Sequence, residues 1–382
     1  MELETAKTWC QPQGQARGPW IRGSPLPLPV WAHYASPVLT VHTVEQYEEL
    51  AGSVELETQR LLREHRYNTV GNFLRFYKDY SRSGESVLER FYRKYQPLIT
   101  DEHYTCVGLG FELLCRLADL NERYPGLASS LYLTSCEETI GDIASYVGGP
   151  PAADSGEKEH VLVCLKIKIG ERCGFMLLDP GYHIARVVTV MADKLYPHTG
   201  WFTQVDEPNC KKMYNYYLCA DDPDYIEWHE RVTRPGALET TQVALIYVAR
   251  PYLTAIDVTE RRNLVYNHKS LIARDTKGHI IAGIYFPVVL DRDNAQTFTI
   301  FHQTANRKKR VKMAFNKFYS TSEIRPNAEE MEIVAECARQ LDIPLDTLES
   351  MISALATVMR DTSFVAQLLA INKRINTLAE AN

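Results

Sequence analysis

The amino-acid sequence predicts an α+β protein, because helical and strand periodicity occupy different parts of the chain. Apolar residues recur at helical spacing in residues 44–97. Alternating, β-branched segments dominate residues 160–191, and helical spacing returns after residue 322. We therefore divide the chain into a disordered Pro-rich leader (1–38), a helical domain (39–128), a β-sheet or barrel domain (129–305), and a C-terminal linker with a helical region (306–382).

The composition is that of a globular protein, with 45% hydrophobic and 24% charged residues among 382. The net charge of −6 argues against a nucleic-acid-binding protein, which normally carries a basic face. The nine cysteines show no spacing typical of zinc ligands or of a disulfide framework, so we expect no metal and a reducing compartment. Neither a membrane span nor a signal peptide is recognisable, and we expect a cytoplasmic protein without membrane contact.

The leader and the helical domain differ in their local signals. Alternating prolines at 24–30 can sustain neither a helix nor a sheet interior, and they predict a disordered or extended segment. Three amphipathic helices are predicted in residues 44–97. A further helix follows Cys106 and is expected to stop at residues 124–126, where Pro and Gly occur.

The β domain and the C-terminal region are predicted from periodicity and turn signals. The expected strands lie at 130–135, 160–169, 174–179, 184–191, 242–250, 280–289 and 296–301. The basic run at 307–312 is typical of a solvated loop, the alternative being a nucleic-acid or nuclear-import signal. Helices are predicted at 327–341, 345–359 and 364–378, and we expect them to pack over the β domain or to mediate self-association.

Three reactive side chains stand at the edges of apolar runs, in the order Cys106, His160 and Asp179. A thiol becomes a nucleophile when a base removes its proton, and the base works best when a third group orients it. The dipole at the start of the helix that Cys106 opens favours the thiolate. Taken singly, each residue also has a structural interpretation, as a buried thiol, a core histidine and a turn residue. Their joint order predicts a thiol enzyme.

Two segments carry a resemblance to a known family. His160 leads an apolar strand, and the next predicted strand ends in Asp179-Pro180-Gly181-Tyr182. Downstream, Arg274 and Gly278 belong to a hairpin-like segment at 272–283. Over roughly residues 60–305, these features resemble the arylamine N-acetyltransferases of the papain-like superfamily. The resemblance implies an N-terminal helical bundle that carries the cysteine and a central antiparallel β-barrel or sheet that carries the histidine and aspartate.

The resemblance also implies a function. Cys106 would accept an acyl group, expected to be acetyl, from acetyl-CoA and pass it to a small-molecule amine, while His160 moves the proton and Asp179 orients the imidazole. Tyr104, Phe111 and Tyr182 are expected to bind substrate.

The chain departs from the family pattern at two places. The Arg-Gly-Gly-aromatic run that usually precedes the cysteine is replaced by residues 101–105, and no glycine-rich run follows Asp179. Arg186 or Lys194 would then have to bind the CoA phosphates. The alternatives are a peptidase or transglutaminase-like enzyme acting on protein amides, and a catalytically inactive binding scaffold.

Overall fold

The computed structural model describes residues 16–148, 158–290, 296–305, 307–319 and 325–380. Two β-sheets form its framework, one of nine strands and one of five. Neighbouring strands pair antiparallel, apart from one parallel contact between the first strand and the nine-stranded sheet. The α+β class predicted from the sequence is therefore confirmed.

The N-terminal part is mainly helical. Its elements in chain order are β1 (Val38–Val41), α1 (Val44–Glu64), β2 (Tyr67–Asn68), α2 (Thr69–Ser83), α3 (Leu88–Lys94), α4 (Cys106–Ala118) and α5 (Leu127–Ser130). The side chain of Asn68 accepts the Gly71 N–H at the start of α2, and Gly84 ends that helix in the left-handed conformation. β1 and β2 each join one of the two sheets, so this part is tied to both.

The nine-stranded sheet curves around an apolar interior. Its further elements are β3 (Tyr132–Glu137), the short helix α6 (Ile143–Gly148), β4 (His160–Ile169), β5 (Arg172–Leu178), β6 (Val188–Met191), β7 (Phe202–Glu207), β8 (Cys210–Leu218), β9 (Tyr225–Thr233) and β10 (Thr240–Tyr247). The strand order is β6-β5-β4-β3-β10-β9-β8-β7, with β1 alongside β4. β6 also contacts β8, which gives the sheet the shape of a half-barrel.

The five-stranded sheet follows a π-helical turn at Ala255–Glu260. Its elements are α7 (Arg261–Val265), β11 (His268–Arg274), β12 (Ile280–Pro287), β13 (Thr297–Gln303) and β14 (Lys308–Ala314). The strand order is β14-β13-β12-β11-β2. A strand from the helical part thus completes a sheet built more than two hundred residues later in the chain, as the pairing of Asn68 with Leu271 shows.

Three helices cover the five-stranded sheet, in agreement with the helical region predicted at the C-terminus. They are α8 (Ala328–Gln340), α9 (Leu345–Arg360) and α10 (Thr362–Glu380). Asn327 and Glu330 form a capping box that starts α8. The apolar faces of these helices share one core with the sheet. Self-association through them stays a prediction.

No single helix in the described ranges has the length and apolarity needed to cross a membrane. The pair formed by Leu345–Arg360 and Thr362–Thr377 meets the criteria of length and composition together, but it is bent by 81°.

The expectation of a disordered leader is wrong for residues 16–37, whereas residues 1–15 lie outside the described residues. The Gly18 N–H donates to Asp257 Oδ2 at 2.9 Å, and the Val30 N–H donates to Thr254 Oγ1, also at 2.9 Å. Leu26 is buried in the core beneath α3 and the five-stranded sheet. Prolines prevent helix formation here, but an extended chain can still satisfy its backbone groups on a neighbouring surface.

The expected loop at 307–312 is also wrong, because these residues run into β14 at the edge of the five-stranded sheet. Lys308 Nζ and Arg310 Nη2 both donate to the carboxylate of Glu207, at 2.5 and 2.6 Å. Charged side chains are tolerated on an edge strand, where they face solvent and discourage pairing with another chain. The expected linker is thus partly a strand.

Candidate active site

A cleft of about 1890 Å³ lies between the two sheets. Its lining combines residues from β3, β4 and the β7–β8 turn with residues from β11 to β14. Cys106 and His160 both line this cleft, and Asp179 lies directly behind His160. The structure therefore brings together the three residues that the sequence analysis grouped as a candidate triad.

Cys106 is the first residue of α4, as the sequence predicted. Thr105 precedes it in an extended conformation, and its hydroxyl accepts the Val107 N–H at 3.2 Å. The helix packs against β4, so the cysteine is held against the strand that carries the histidine. Only 3% of Cys106 is exposed, which leaves the thiol at the floor of the cleft. A thiol in this position is subject to the positive end of the helix dipole.

His160 and Asp179 are adjacent because β4 and β5 pair antiparallel, with Val163 opposite Leu178. The start of β4 therefore meets the end of β5. His160 Nε2 and Asp179 Oδ2 are 2.9 Å apart, and both side chains are buried. This contact leaves Nδ1 as the ring nitrogen that can exchange a proton with the thiol.

The electrostatic surroundings favour a charged imidazole. Burial by itself lowers the pKa of His160, but the Asp179 carboxylate and a hydrogen bond with Cys106 outweigh it and raise this pKa well above the usual range. A protonated imidazole beside a thiol stabilises the thiolate. The surroundings therefore favour a proton on His160, next to the candidate nucleophile.

The turn after β5 fixes the aspartate and packs against the candidate nucleophile. Asp179 Oδ1 accepts the Tyr182 N–H at 2.9 Å, so both carboxylate oxygens are engaged. A Cβ added to Gly181 would lie 2.7 Å from Cys106 Cβ and 2.8 Å from His160 Cε1. Only a residue without a side chain therefore fits at residue 181, where the turn packs against the two reactive groups.

Tyr182, which was expected to bind substrate, lines the cleft beside the imidazole. Its ring meets His160 edge-on at 4.6 Å and Trp228 at 4.7 Å. Its hydroxyl donates to Glu138, a half-buried residue of the same cleft wall. Burial raises the pKa of Glu138 above its usual range. Glu138 was missed in the sequence, where it is one of several acidic residues between two strands.

Tyr104 and Phe111, also expected to bind substrate, are not brought to the cleft. Both are buried in the core that α1 and α4 form with the nine-stranded sheet. The Tyr104 hydroxyl donates to Glu112 Oε2 at 3.3 Å, inside that core. The helix that exposes Cys106 at its first residue turns its other apolar side chains inward, so proximity in sequence to the thiol did not place these rings in the cleft.

Glu260 and Asn263 belong to the site although no sequence motif marks them. Glu260 is fully buried, accepts the Asn72 amide at 2.7 Å, and accepts the hydroxyl of Thr105 at the start of α4. Burial raises the pKa of Glu260 to about 7. Asn263 lines the cleft with its amide Nδ2 at 3.9 Å from Cys106 Sγ.

Arg274 supports the turn after Asp179. It belongs to the segment at 272–283 that carried part of the resemblance. Its guanidinium is buried and donates to the Pro180 carbonyl at 3.2 Å, with His183 Nδ1 at 3.1 Å. Burial lowers the pKa of Arg274 to about 9. The residue therefore braces the loop that carries Gly181.

Arg186 and Lys194 do not line the cleft among the described residues. Arg186 lies over the Phe202 ring at 4.9 Å, and Lys194 lies over the Tyr217 ring at 5.4 Å. Within the described ranges, no group of three or more His, Cys, Asp and Glu side chains is arranged to hold a metal ion.

Comparison with known proteins adds little to this geometry. No family model and no curated protein matches the sequence. Among solved structures, the arylamine N-acetyltransferase from Mycobacterium abscessus is similar over 78% of this chain and 87% of its own, at 8% sequence identity and a TM-score of 0.37. The function is therefore argued from the site itself.

Proposed function

We propose that this protein is a thiol-dependent acyltransferase that works through an acyl-cysteine on Cys106. The observation that carries the proposal is the buried contact between His160 and Asp179, at 2.9 Å, directly beside a cysteine that opens a helix and faces a cleft. A nucleophile, a base and a group that orients the base are the minimum set for this chemistry.

The reaction divides into two halves. The Cys106 thiolate attacks the carbonyl carbon of the donor, a C–S bond forms, and the donor thiol leaves with the proton that His160 held. The acceptor amine then attacks the acyl-cysteine, His160 takes the amine proton, and Cys106 leaves as a thiolate. Asp179 stays ionised and stabilises the imidazolium in the resting enzyme.

The proposed acyl donor is a CoA thioester such as acetyl-CoA, and the proposed acceptor is a small-molecule amine. The cleft, at about 1890 Å³, exceeds the roughly 300–1,000 Å³ of common small-ligand pockets. Such a volume can receive a long donor and an acceptor side by side.

The size of the cleft also favours a second candidate, which is an enzyme that takes the acyl group from a protein amide. An extended peptide would lie between the sheets with its scissile or glutamine carbonyl at Cys106. The acyl-cysteine and the roles of His160 and Asp179 would be the same, and only the leaving group would change from a thiol to an amine.

Acyl-enzyme formation tests the proposal directly. Purified protein is incubated with acetyl-CoA, or with a glutamine-containing peptide and an amine, and is analysed by intact mass and peptide mapping. We expect one acetyl group on Cys106 in the wild type and none in Cys106→Ala. Cys173→Ala, which removes an exposed cysteine, is the matched control and should acylate like the wild type.

The results with the two donors distinguish the acyltransferase, the protein-amide enzyme and the binding scaffold. Turnover of the glutamine peptide without acetylation by acetyl-CoA would make the protein-amide candidate the better one. Absence of both a covalent product at Cys106 and turnover with either donor would contradict both candidates and would favour a binding scaffold.

A further inference from the structure

We propose that the side-chain amide of Asn263 binds the oxyanion that forms when Cys106 attacks its acyl donor, which makes Asn263 a catalytic residue. This inference rests on the proposed acyl transfer. It adds a group from α7, a short helix 157 residues beyond the thiol, to a site otherwise built from α4, β4 and the end of β5.

The position of the amide carries the inference. Asn263 Nδ2 stands 3.9 Å from Cys106 Sγ, and both residues line the same cleft. Among the described residues, the Asn263 amide nitrogen makes one hydrogen bond, and this bond is the weak contact with the Cys106 sulfur. An amide nitrogen carries two N–H groups, so donor capacity remains for a ligand beside the thiol.

The distance suits a tetrahedral intermediate. The carbon attached to Sγ carries its oxygen one bond further from the sulfur, and a donor must stand about 2.7–3.1 Å from that oxygen. A nitrogen at 3.9 Å from Sγ can meet this requirement without moving the helix. The Cys106 N–H, in the first turn of α4 where the helix offers it no carbonyl, is suited to be the second donor.

The backbone that holds Asn263 is fixed from several sides. The fully buried Lys269 donates to the carbonyls of Asn263 and Leu264, at 2.6 and 3.1 Å. The preceding Arg262 donates to Asn372 and Asn376 on α10, at 2.8 and 2.9 Å. A donor held in place before the reaction stabilises developing charge without a cost of reorganisation.

The π-helical turn at Ala255–Glu260 adds a second link to the nucleophile. Glu260, at its end, accepts the hydroxyl of Thr105, the residue before Cys106. Glu260 and Asn263 are three residues apart on a continuous helical segment, and both reach the start of α4. Short π-helical turns within helices are frequent at functional sites.

The test compares two reactions of the same sulfur. Acylation by p-nitrophenyl acetate or acetyl-CoA passes through an oxyanion, whereas alkylation by iodoacetamide does not. We expect Asn263→Ala and Asn263→Asp to lower the acylation rate of Cys106 by about 100-fold, the usual effect of removing one oxyanion donor. Alkylation in Asn263→Ala should stay within about threefold of the wild type. Asn316→Ala is the matched control and should change neither rate, because Asn316 is half-buried like Asn263 but does not line the cleft.

The outcomes separate this inference from the function on which it rests. Wild-type rates of acylation in both Asn263 variants would overturn the inference and leave the acyltransferase proposal standing. An equal loss of acylation and alkylation in Asn263→Ala would also overturn it, because Asn263 would then act on the thiolate itself. A wild-type protein that is alkylated at Cys106 but never acylated would remove the proposed function and the inference together.

Discussion

Gly181 faces Cys106 across a gap that has no room for even one additional carbon atom. A Cβ at residue 181 would come within 2.7 Å of the cysteine Cβ, closer than real side chains approach each other. The loop that carries Gly181 is braced by the buried Arg274, so it cannot easily move away. The glycine thus lets this loop pack directly against the nucleophile.

We expect Gly181→Ala to fold but to lose more than about 90% of acylation and to slow the alkylation of Cys106, because the added methyl group would overlap the Cys106 Cβ and push the thiol from its place beside His160. Rates of both reactions, with circular dichroism as a check of folding, measure this. Gly141→Ala is the matched control, since Gly141 lines the same cleft with no atom within 4 Å of an added Cβ. Equal rates in the two variants would show that the close contact of Gly181 with Cys106 does not matter for the reactivity of the thiol.

Asp179→Asn should lower turnover by at least about 100-fold, because the amide removes the charge that stabilises the imidazolium. The raised pKa of His160 should fall, so less imidazolium stands beside the thiol at neutral pH. Alkylation of Cys106 at pH 7 should therefore be slower than in the wild type, and its pH profile should change. The exposed Asp193→Asn, which breaks only a surface pair with Arg172, should leave the pH profile unchanged. If the pH profile of Cys106 alkylation is unchanged in Asp179→Asn, Asp179 has only a structural role in the turn.

Glu260 should make the protein less stable as the pH rises. Its carboxyl group has a pKa of about 7 in the folded protein and 4.5 ordinarily, so the folded state keeps a proton that the unfolded chain releases between these values. The free energy of unfolding should fall by up to about 3 kcal/mol from pH 4.5 to 7, at 1.36 kcal/mol per pKa unit. Glu260→Gln should lack this part of the decrease.

Urea unfolding of the wild type and Glu260→Gln at several pH values measures the difference, with the exposed Glu122→Gln as control. A difference between wild type and Glu260→Gln that does not change with pH would show that Glu260 does not titrate in this range.

The C-terminal helices should contribute to the free energy of unfolding as part of the cooperative core. Leu368 on α10 is fully buried in the core shared with the five-stranded sheet. We expect Leu368→Ala to lower the free energy of unfolding by about 2–5 kcal/mol, the usual result of a cavity in a core. Leu345→Ala, at a position that is 39% exposed, should cost less than about 1 kcal/mol in the same denaturant titration. Similar values for both would mean that α10 is not part of the cooperative core.

The sequence determined the parts of this protein that depend on local rules. The C-terminal helices follow from the helical spacing of their apolar residues and from capping residues such as Asn327. The strand from His160 to Ile169 has the predicted bounds. The start of a helix at Cys106 was also predictable, since Thr105 is a good N-cap residue. The grouping of Cys106, His160 and Asp179 followed from their positions at the ends of such elements.

Tertiary structure decided which faces meet. Strands β7 to β9 lie between the predicted strands at 184–191 and 242–250, and they are recognisable only once β9 pairs with β10, β8 with β9 and β7 with β8. The rotation of α4 turns Phe111 into the core, and Tyr104, just before that helix, packs into the same core. The leader is ordered by the surface beneath it. Asn263 and Glu260 reach Cys106 and Thr105 from more than 150 positions away in the sequence. Local patterns set period and caps, whereas contacts at such separations depend on how the whole chain packs.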